Sequence, residues 1–280
     1  MGEYAERRPL FGKEVEIAVY GIEPLLAKHV IDKTYAEGVR LQGIFNFYSE
    51  ASELSRLNQQ RTLQVSPELW TVIRESLEYC RLTDGAYDIA LGALTMKRKK
   101  GLPLPQRTYS YKDIAIRGNV VTLRMPGMLL DLGSVAKGYI VDRMVAQLQS
   151  LGVLSGLVDG RGDMRAFGEQ EHEIGIQHPR DPKKSMGTVR MRNLSIATSG
   201  DYQQYVGDYD HSHIIGKQDI ISATVIAPEL YLADILATAL CVVDDKARKT
   251  LLAAKGSTAA MTIDTNMRIE YHNGFERLLV

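Results

Sequence analysis

Two polar side chains inside an apolar stretch raise the first chemical question. In LADILATAL, Asp234 and Thr238 stand four residues apart, on one helical face, among Leu, Ala, Ile, Val and Cys. A carboxylate in such company needs a partner. One solution is structural: a backbone amide or an arginine for Asp234, with Thr238 bonding back to the carbonyl one turn earlier. The other is a hard cation. One carboxylate and one hydroxyl make a poor cage alone, yet Mg²⁺ completes its octahedron with water and substrate phosphates. A second stretch, DLGSVAKGYIVDRMVAQLQSLG from Asp131 to Gly152, offers a phosphate seat. It follows Met128-Leu129-Leu130 and reads as strand, tight turn and helix. Gly133 lets backbone approach a ligand, Ser134 supplies a hydroxyl, and the free amides of the helix's first turn attract an anion. Most strand-turn-helix units bind nothing, so the plain structural reading stands beside it.

Smaller constellations surround these two. Ala86-Tyr87-Asp88, just past a helix end, is expected to expose a ring and a carboxylate together as a ligand wall. Asp159-Gly160-Arg161-Gly162-Asp163 fits either a turn beside a ligand or an ordinary hairpin. Ala197-Thr198-Ser199-Gly200-Asp201-Tyr202 ends a strand with small hydroxyl residues suited to a polar ligand. His211 and His213 lack metal-ligand spacing to a second strong donor, so zinc is not expected.

The elements that must position these residues follow from periodicity. FGKEVEIAVY alternates as a strand from Phe11 to Tyr20; Pro24 to Phe45 and Ser66-Pro67 to Cys80 repeat as helices. A loop is expected around Tyr48, with a short helix after Ser52. Lys97 to Lys100 reads as a solvated surface loop, and Tyr111–Ile116 with Val120–Met125 as a hairpin across Gly118-Asn119. Further strands are expected at Leu154–Val158, Met164–Phe167, from Glu173, over Thr188–Ile196 and over Ile221–Ile226. A helix over Pro228–Val243, another near Leu251 and a closing hairpin of Ala259–Asp264 and Met267–Tyr271 complete the chain. This irregular alternation indicates α+β with mixed or antiparallel sheets, and no G-x-G-x-x-G follows a first strand.

Composition narrows the class. The chain has 280 residues, 34 basic and 34 acidic, so no global charge argues for nucleic acid or an anionic membrane. Cys80 and Cys241 lie far apart in apolar stretches, as buried thiols. No segment reads as a membrane span or a signal peptide, which gives the expectation of a cytoplasmic protein, or an exported one given without its signal.

Taken in order, LFGKEVEIAVYG, FNFYSEASELSRLN, TDGAYDIALGAL, DLGSVAKGYIVDR, GLVDGRGDMRAFG, IGIQHPRDP, IATSGDY, HSHII and LADILATAL resemble the ApbE family of flavin transferases. The resemblance implies an ApbE-like, T-fold-like single large domain of two lobes over residues 1–280. It implies a Mg²⁺-dependent FAD:protein FMN transferase that attaches FMN through phosphate to a threonine of a client flavoprotein and releases AMP. The alternatives kept beside it are a Mg²⁺-dependent FAD pyrophosphatase yielding FMN and AMP, and a non-catalytic FAD-binding protein. Carried over by motif, Ser134, Asp234 and Thr238 would hold the metal, Ser134 through a nearby carbonyl. Phe11, Tyr48, Ala86, Tyr87, Asp88, Asp131, Lys137 and Ile215 fall where the family contacts FAD, and His213 where it places a general base. The chain departs from the family pattern at Phe11, after Leu94, and after Ile215, where Gly216-Lys217-Gln218-Asp219 shortens the loop.

Overall fold

Alternating side chains from Glu3 to Tyr20 fold into a hairpin of β1 (Glu3–Leu10) and β2 (Lys13–Tyr20), with Leu10 opposite Lys13. Both turn residues take positive φ, Phe11 at 56° and Gly12 at 75°, as the tightest hairpins demand. The strand expected from Phe11 therefore starts after this turn, and an edge strand precedes it that the sequence reading missed. The structure, a computed structural model, describes residues 2–280 apart from 203, 204, 207, 255 and 257, with backbone alone for 205, 206 and 208–211.

Helix α1 (Pro24–Phe45) opens on proline, and α2 (Glu53–Gln60) is capped by Ser52, whose hydroxyl accepts Ser55 N–H at 3.0 Å. Strand β3 (Thr62–Gln64) leads to α3 (Pro67–Leu82), capped in the same way by Ser66. The basic run expected as a loop is instead the last turn of α4 (Gly92–Lys99), where its cations face the negative end of the helix dipole. Strands β4 (Ile114–Arg117) and β5 (Val120–Leu123) form the hairpin expected across Gly118-Asn119, with β3 alongside β5, but Tyr111–Asp113, expected as strand, is a 3-10 turn capped by Ser110.

Met128–Leu130 is not a strand. The Asn58 side chain donates to Leu130 O at 2.9 Å and accepts Leu130 N–H at 2.7 Å, and Ile89 O accepts Asp131 N–H at 2.9 Å. Backbone groups that a sheet would have paired are met by one amide side chain and a loop. Helix α5 (Ala136–Ser150) follows, then β6 (Gly156–Asp159), β7 (Met164–Phe167), β8 (His172–Gln177), β9 (Ser185–Met191) and β10 (Ser195–Gly200). The single strand expected over Thr188–Ile196 is broken at Asn193, which takes φ 52° between β9 and β10. The remainder is β11 (Tyr205–Val206), β12 (Asp208–Ser212), β13 (Ile220–Ala227), α6 (Leu230–Val242), α7 (Asp245–Ala254), β14 (Ala259–Asp264) and β15 (Ile269–His272).

The main sheet runs β1-β2-β6-β7-β10-β13-β14-β15, and every neighbouring pair is antiparallel, in keeping with the expected α+β class. Its interior strand β13, IISATVIA, is buried along its whole length, which explains why small and apolar residues replace alternation there. Helices α1, α5 and α6 pack together, with α5 and α6 on the sheet, while β8, β9 and Phe275 build a second apolar cluster against β10, β13 and β14. Helix α6 is apolar nearly all round and correspondingly enclosed. Among the described residues no helix is long and apolar enough to cross a membrane.

Candidate active site

A cavity of about 760 Å³ opens where the ends of α1, α3 and α4, the segment before α5, the β6–β7 turn, β10 and α6 meet. Every residue singled out for metal, flavin or base chemistry lines it, from Phe11 in the first hairpin turn to Thr238 in α6. That convergence joins segments more than 200 positions apart, and each is held there by an identifiable local device.

Phe11 is fixed from both sides: its N–H donates to Gln42 Oε1 at 2.6 Å and its carbonyl accepts from Arg161 Nη1 at 2.7 Å. A phenylalanine at φ 56° is strained, and the strain sits at the cavity wall. Tyr48 is 61% exposed, with its ring edge-on to Phe47 and the Lys99 ammonium 3.7 Å from its centroid.

Ala86, Tyr87 and Asp88 follow the end of α3, where the Thr83 hydroxyl accepts Tyr87 N–H at 3.1 Å and Asp84 and Gly85 take positive φ. Contrary to expectation, Tyr87 and Asp88 are buried, at 3% and 5% exposure. The Asp88 carboxylate is committed: Oδ1 accepts Ala90 N–H at 2.8 Å, and Oδ2 accepts Tyr111 N–H and Arg107 Nη1, both at 3.0 Å. Burial still pushes its carboxyl above the usual range. Tyr87 reaches Ser134, hydroxyl to hydroxyl, at 2.8 Å. Burial raises the Tyr87 phenol far above its ordinary value, and the Asp234 charge adds to the effect, so Ser134 and Asp234 act on the same hydroxyl.

Asp131 folds back on its own turn, Oδ1 accepting Gly133 N–H at 2.9 Å. The helix N-terminus beyond it is not a wholly free anion seat. Asp234 Oδ2 occupies part of it, accepting Gly138 N–H at 3.0 Å. In return, Asp142 of α5 accepts Leu230 N–H and Tyr231 N–H, both at 2.9 Å, at the start of α6, and is paired with Arg165. A Cβ on Gly138 would lie 2.7 Å from Leu230 O, so only glycine allows the two helices to lock this closely.

Asp234 is 5% exposed; its carboxyl is raised by burial, against the pull of the Lys137 charge and the Gly138 amide. Lys137 itself is paired with Asp163, whose other oxygen accepts Thr198 N–H at 3.0 Å. Thr238 does not bond back along its helix: its hydroxyl meets Ser199 Oγ at 2.9 Å. The DGRGD segment is both a hairpin turn between β6 and β7 and a wall of the cavity, through Arg161. His213 is exposed at the wall, next to buried Ile214 and half-buried Ile215, whereas the side chain of His211 lies outside the described residues. Sequence reasoning missed Gln42 and Asn46 at the end of α1, and Thr95 and Lys99 on α4. The i, i+4 spacing of Gln42 with Asn46 and of Thr95 with Lys99 was the signal available, but nothing in it distinguishes a cavity from solvent.

The donor set fits Mg²⁺ better than a transition metal. Among the described residues no group of three or more His, Cys, Asp or Glu could hold an ion; of the three carboxylates lining the cavity, Asp88 is committed to three donors and Asp131 folds back on its own turn, which leaves Asp234 with hydroxyls and carbonyls. Asp234 Oδ1 has no hydrogen-bond partner among the described residues and remains available as a hard ligand. Cys241 lies beneath, its thiol pushed up to about 12 by burial, an inert neighbour.

The comparisons agree with one another. The model of the ApbE family matches residues 11–262. The FAD:protein FMN transferase of Vibrio cholerae serotype O1 is 28% identical over 249 aligned residues, covering 78% of this chain and 75% of that protein. That of Treponema pallidum is 25% identical, covering 97% of this chain and 87% of its own. Among solved structures, the ApbE protein of Thermotoga maritima superposes with a TM-score of 0.89 at 24% identity over the whole of both chains. The flavin transferase ApbE from Vibrio cholerae gives 0.83 at 25% identity over 99% of each.

Proposed function

The chain belongs to the ApbE family, and from that premise we propose that it is a FAD:protein FMN transferase whose active centre is the cavity described above. The observation that carries the reading is the meeting of Asp234 and Thr238 with Ser134, Tyr87 and Lys137 around one cavity. Its volume of about 760 Å³ suits a large cofactor-like substrate. The same reading treats residues 1–280 as one flavin transferase domain.

Asp234, Thr238 and a carbonyl near Ser134 would hold Mg²⁺, which supplies charge neutralisation at a pyrophosphate. Lys137 and the amides at the start of α5 add fixed positive potential on the same side. Tyr48, Phe11, Ala86, Tyr87, Asp88, Asp131 and Ile215 shape the FAD-binding walls, the raised phenol of Tyr87 staying protonated as a hydrogen-bonding group. His213 takes the proton of the client threonine hydroxyl as its oxygen attacks the FMN phosphorus. The P–O bond to the AMP phosphate breaks, and AMP leaves with the bridging oxygen. Little covalent chemistry is asked of the protein; positioning and charge do most of it.

The test is incubation with FAD, MgCl₂ and a purified flavoprotein domain bearing an acceptor threonine. The expected result is a mass gain of one FMN moiety on the client with matching AMP, both reduced at least about 100-fold in Asp234→Asn, where a metal ligand is neutralised. Neither product from the folded wild-type protein overturns the reading. AMP without an adduct replaces it with FAD hydrolysis.

A further inference from the structure

Outside the cavity wall, one charged cluster is used by none of the chemistry above. Asp201, at the end of β10, is 0% exposed, yet it faces two cations. Arg180, from the loop between β8 and β9, forks onto it with Nη1 at 2.6 Å from Oδ1 and Nη2 at 3.0 Å from Oδ2. Lys217 Nζ lies 2.8 Å from Oδ2. A buried carboxylate with two charged partners is a poor source of net stability but a strict device of geometry, since every group must sit in place to compensate its desolvation.

Lys217 belongs to the segment between β12 and β13 that also carries His213 and Ile215, both on the cavity wall. That segment is tied at neighbouring points. Gln218 N–H donates to Cys241 O at 2.9 Å, in the helix that bears Asp234 and Thr238. Asp219 meets the buried guanidinium of Arg248 at 2.9 Å. Ile214 is buried in the main core. The Asp201 carboxylate is thus where the shortened loop, the Ser199 strand and the Arg180 loop are fastened to one another.

We propose that Lys217 is a positioning residue for His213, acting through the Arg180–Asp201–Lys217 cluster. The proposal rests on the reading of His213 as the base in FMN transfer. Shortness of the loop after Ile215 then has a mechanical meaning: a lysine anchored on Asp201 leaves few rotatable residues between the anchor and the imidazole, so the base is held by the fold rather than by substrate. A displacement of about 1 Å at such a group can cost about 100-fold in rate.

The experiment compares Lys217→Met, which keeps the aliphatic stem, with Lys217→Arg, which restores a cation. For Lys217→Met the expected outcome is a folded protein with kcat lowered about 10- to 100-fold, the KM for FAD within about twofold, and recovery of most of the rate in Lys217→Arg. Hydrogen–deuterium exchange across residues 213–219 should quicken in Lys217→Met and return towards wild type in Lys217→Arg, whether or not any reaction is followed. Unchanged exchange and kcat in folded Lys217→Met overturn the proposal, as does a rise in the KM for FAD with kcat intact, which would make Lys217 a substrate contact. Faster exchange in Lys217→Met alongside an inactive wild-type protein overturns the assignment of the reaction and leaves the anchoring role standing.

Discussion

Tyr87 shows how one residue can serve fold and chemistry together. Its amide is held by Thr83, its ring is enclosed, and its hydroxyl reaches Ser134 at 2.8 Å under the influence of Asp234. With the phenol raised far above its ordinary value, the group stays neutral over any working pH and orients Ser134 without competing for charge. Tyr87→Phe keeps the ring and removes the hydroxyl, with its bond to Ser134 and its interaction with Ser76. It should cost about 1 kcal/mol of stability and lower the rate of AMP release about 3- to 10-fold, with the KM for FAD little changed, in steady-state assays with FAD and Mg²⁺. A wild-type rate would show that the Ser134 hydroxyl needs no partner. Asp88 teaches the opposite lesson. It borders the cavity, but its two oxygens already take three donors, so it shapes the wall instead of offering a free carboxylate.

At the scale of elements, the site depends on the reciprocal lock between α5 and α6. Each helix lends a carboxylate to amides at the start of the other: Asp234 to Gly138, and Asp142 to Leu230 and Tyr231. Gly138 makes the approach possible, because any Cβ there would meet backbone atoms of Leu230 and Tyr231 at 2.7 Å. Gly138→Ala gains intrinsic helix propensity, by about 1 kcal/mol at most, yet must push two enclosed helices apart, an overpacking cost of roughly 1–3 kcal/mol or more. The expected net effect is a lower urea midpoint with unchanged slope, together with loss of AMP release in assays with FAD and Mg²⁺ as Asp234 shifts. A midpoint equal to or above that of the wild type would contradict the lock.

For the whole molecule, one contribution to acid sensitivity comes from two histidines that do not line the cavity. His172 packs against Tyr20 with ring centroids 5.7 Å apart, and its Nε2 is buried without a partner among the described residues. His272 lies 3.2 Å from the Thr262 hydroxyl on the closing hairpin. Burial lowers the pKa of both below the ordinary value of 6.5. The unfolded chain therefore takes up protons more readily than the folded one, so the stability they contribute is full above the unfolded value and is lost as pH falls through the lowered folded value. Raised carboxyls such as Asp88 and Asp234 act in the opposite sense, so the test is a comparison: as pH falls below about 6.5 the wild-type thermal midpoint should drop relative to that of His172→Phe, which preserves a ring against Tyr20. An identical pH dependence in His172→Phe would rule His172 out as a source.

What the chain determines on its own is local and chemical. Serines before proline or an acidic residue mark the starts of α2 and α3, the Gly118-Asn119 pair marks a hairpin, and the isolation of Asp234 and Thr238 in an apolar helix marks a place where polarity must be answered. Ordered motifs then make the ApbE family legible. The answers to those polar groups were decided only in three dimensions. Asn58 replaces a neighbouring strand for Leu130, so an apolar run that reads as a strand stays irregular. A positive φ at Asn193 splits what reads as one strand into two. Asp234 finds Gly138 across 96 positions, and Asp201 finds Arg180 and Lys217 from two separate loops. Periodicity reports which face of an element is buried, but hydrogen-bond partners distant in sequence carry no periodic signal, and the cavity exists only where such partners meet.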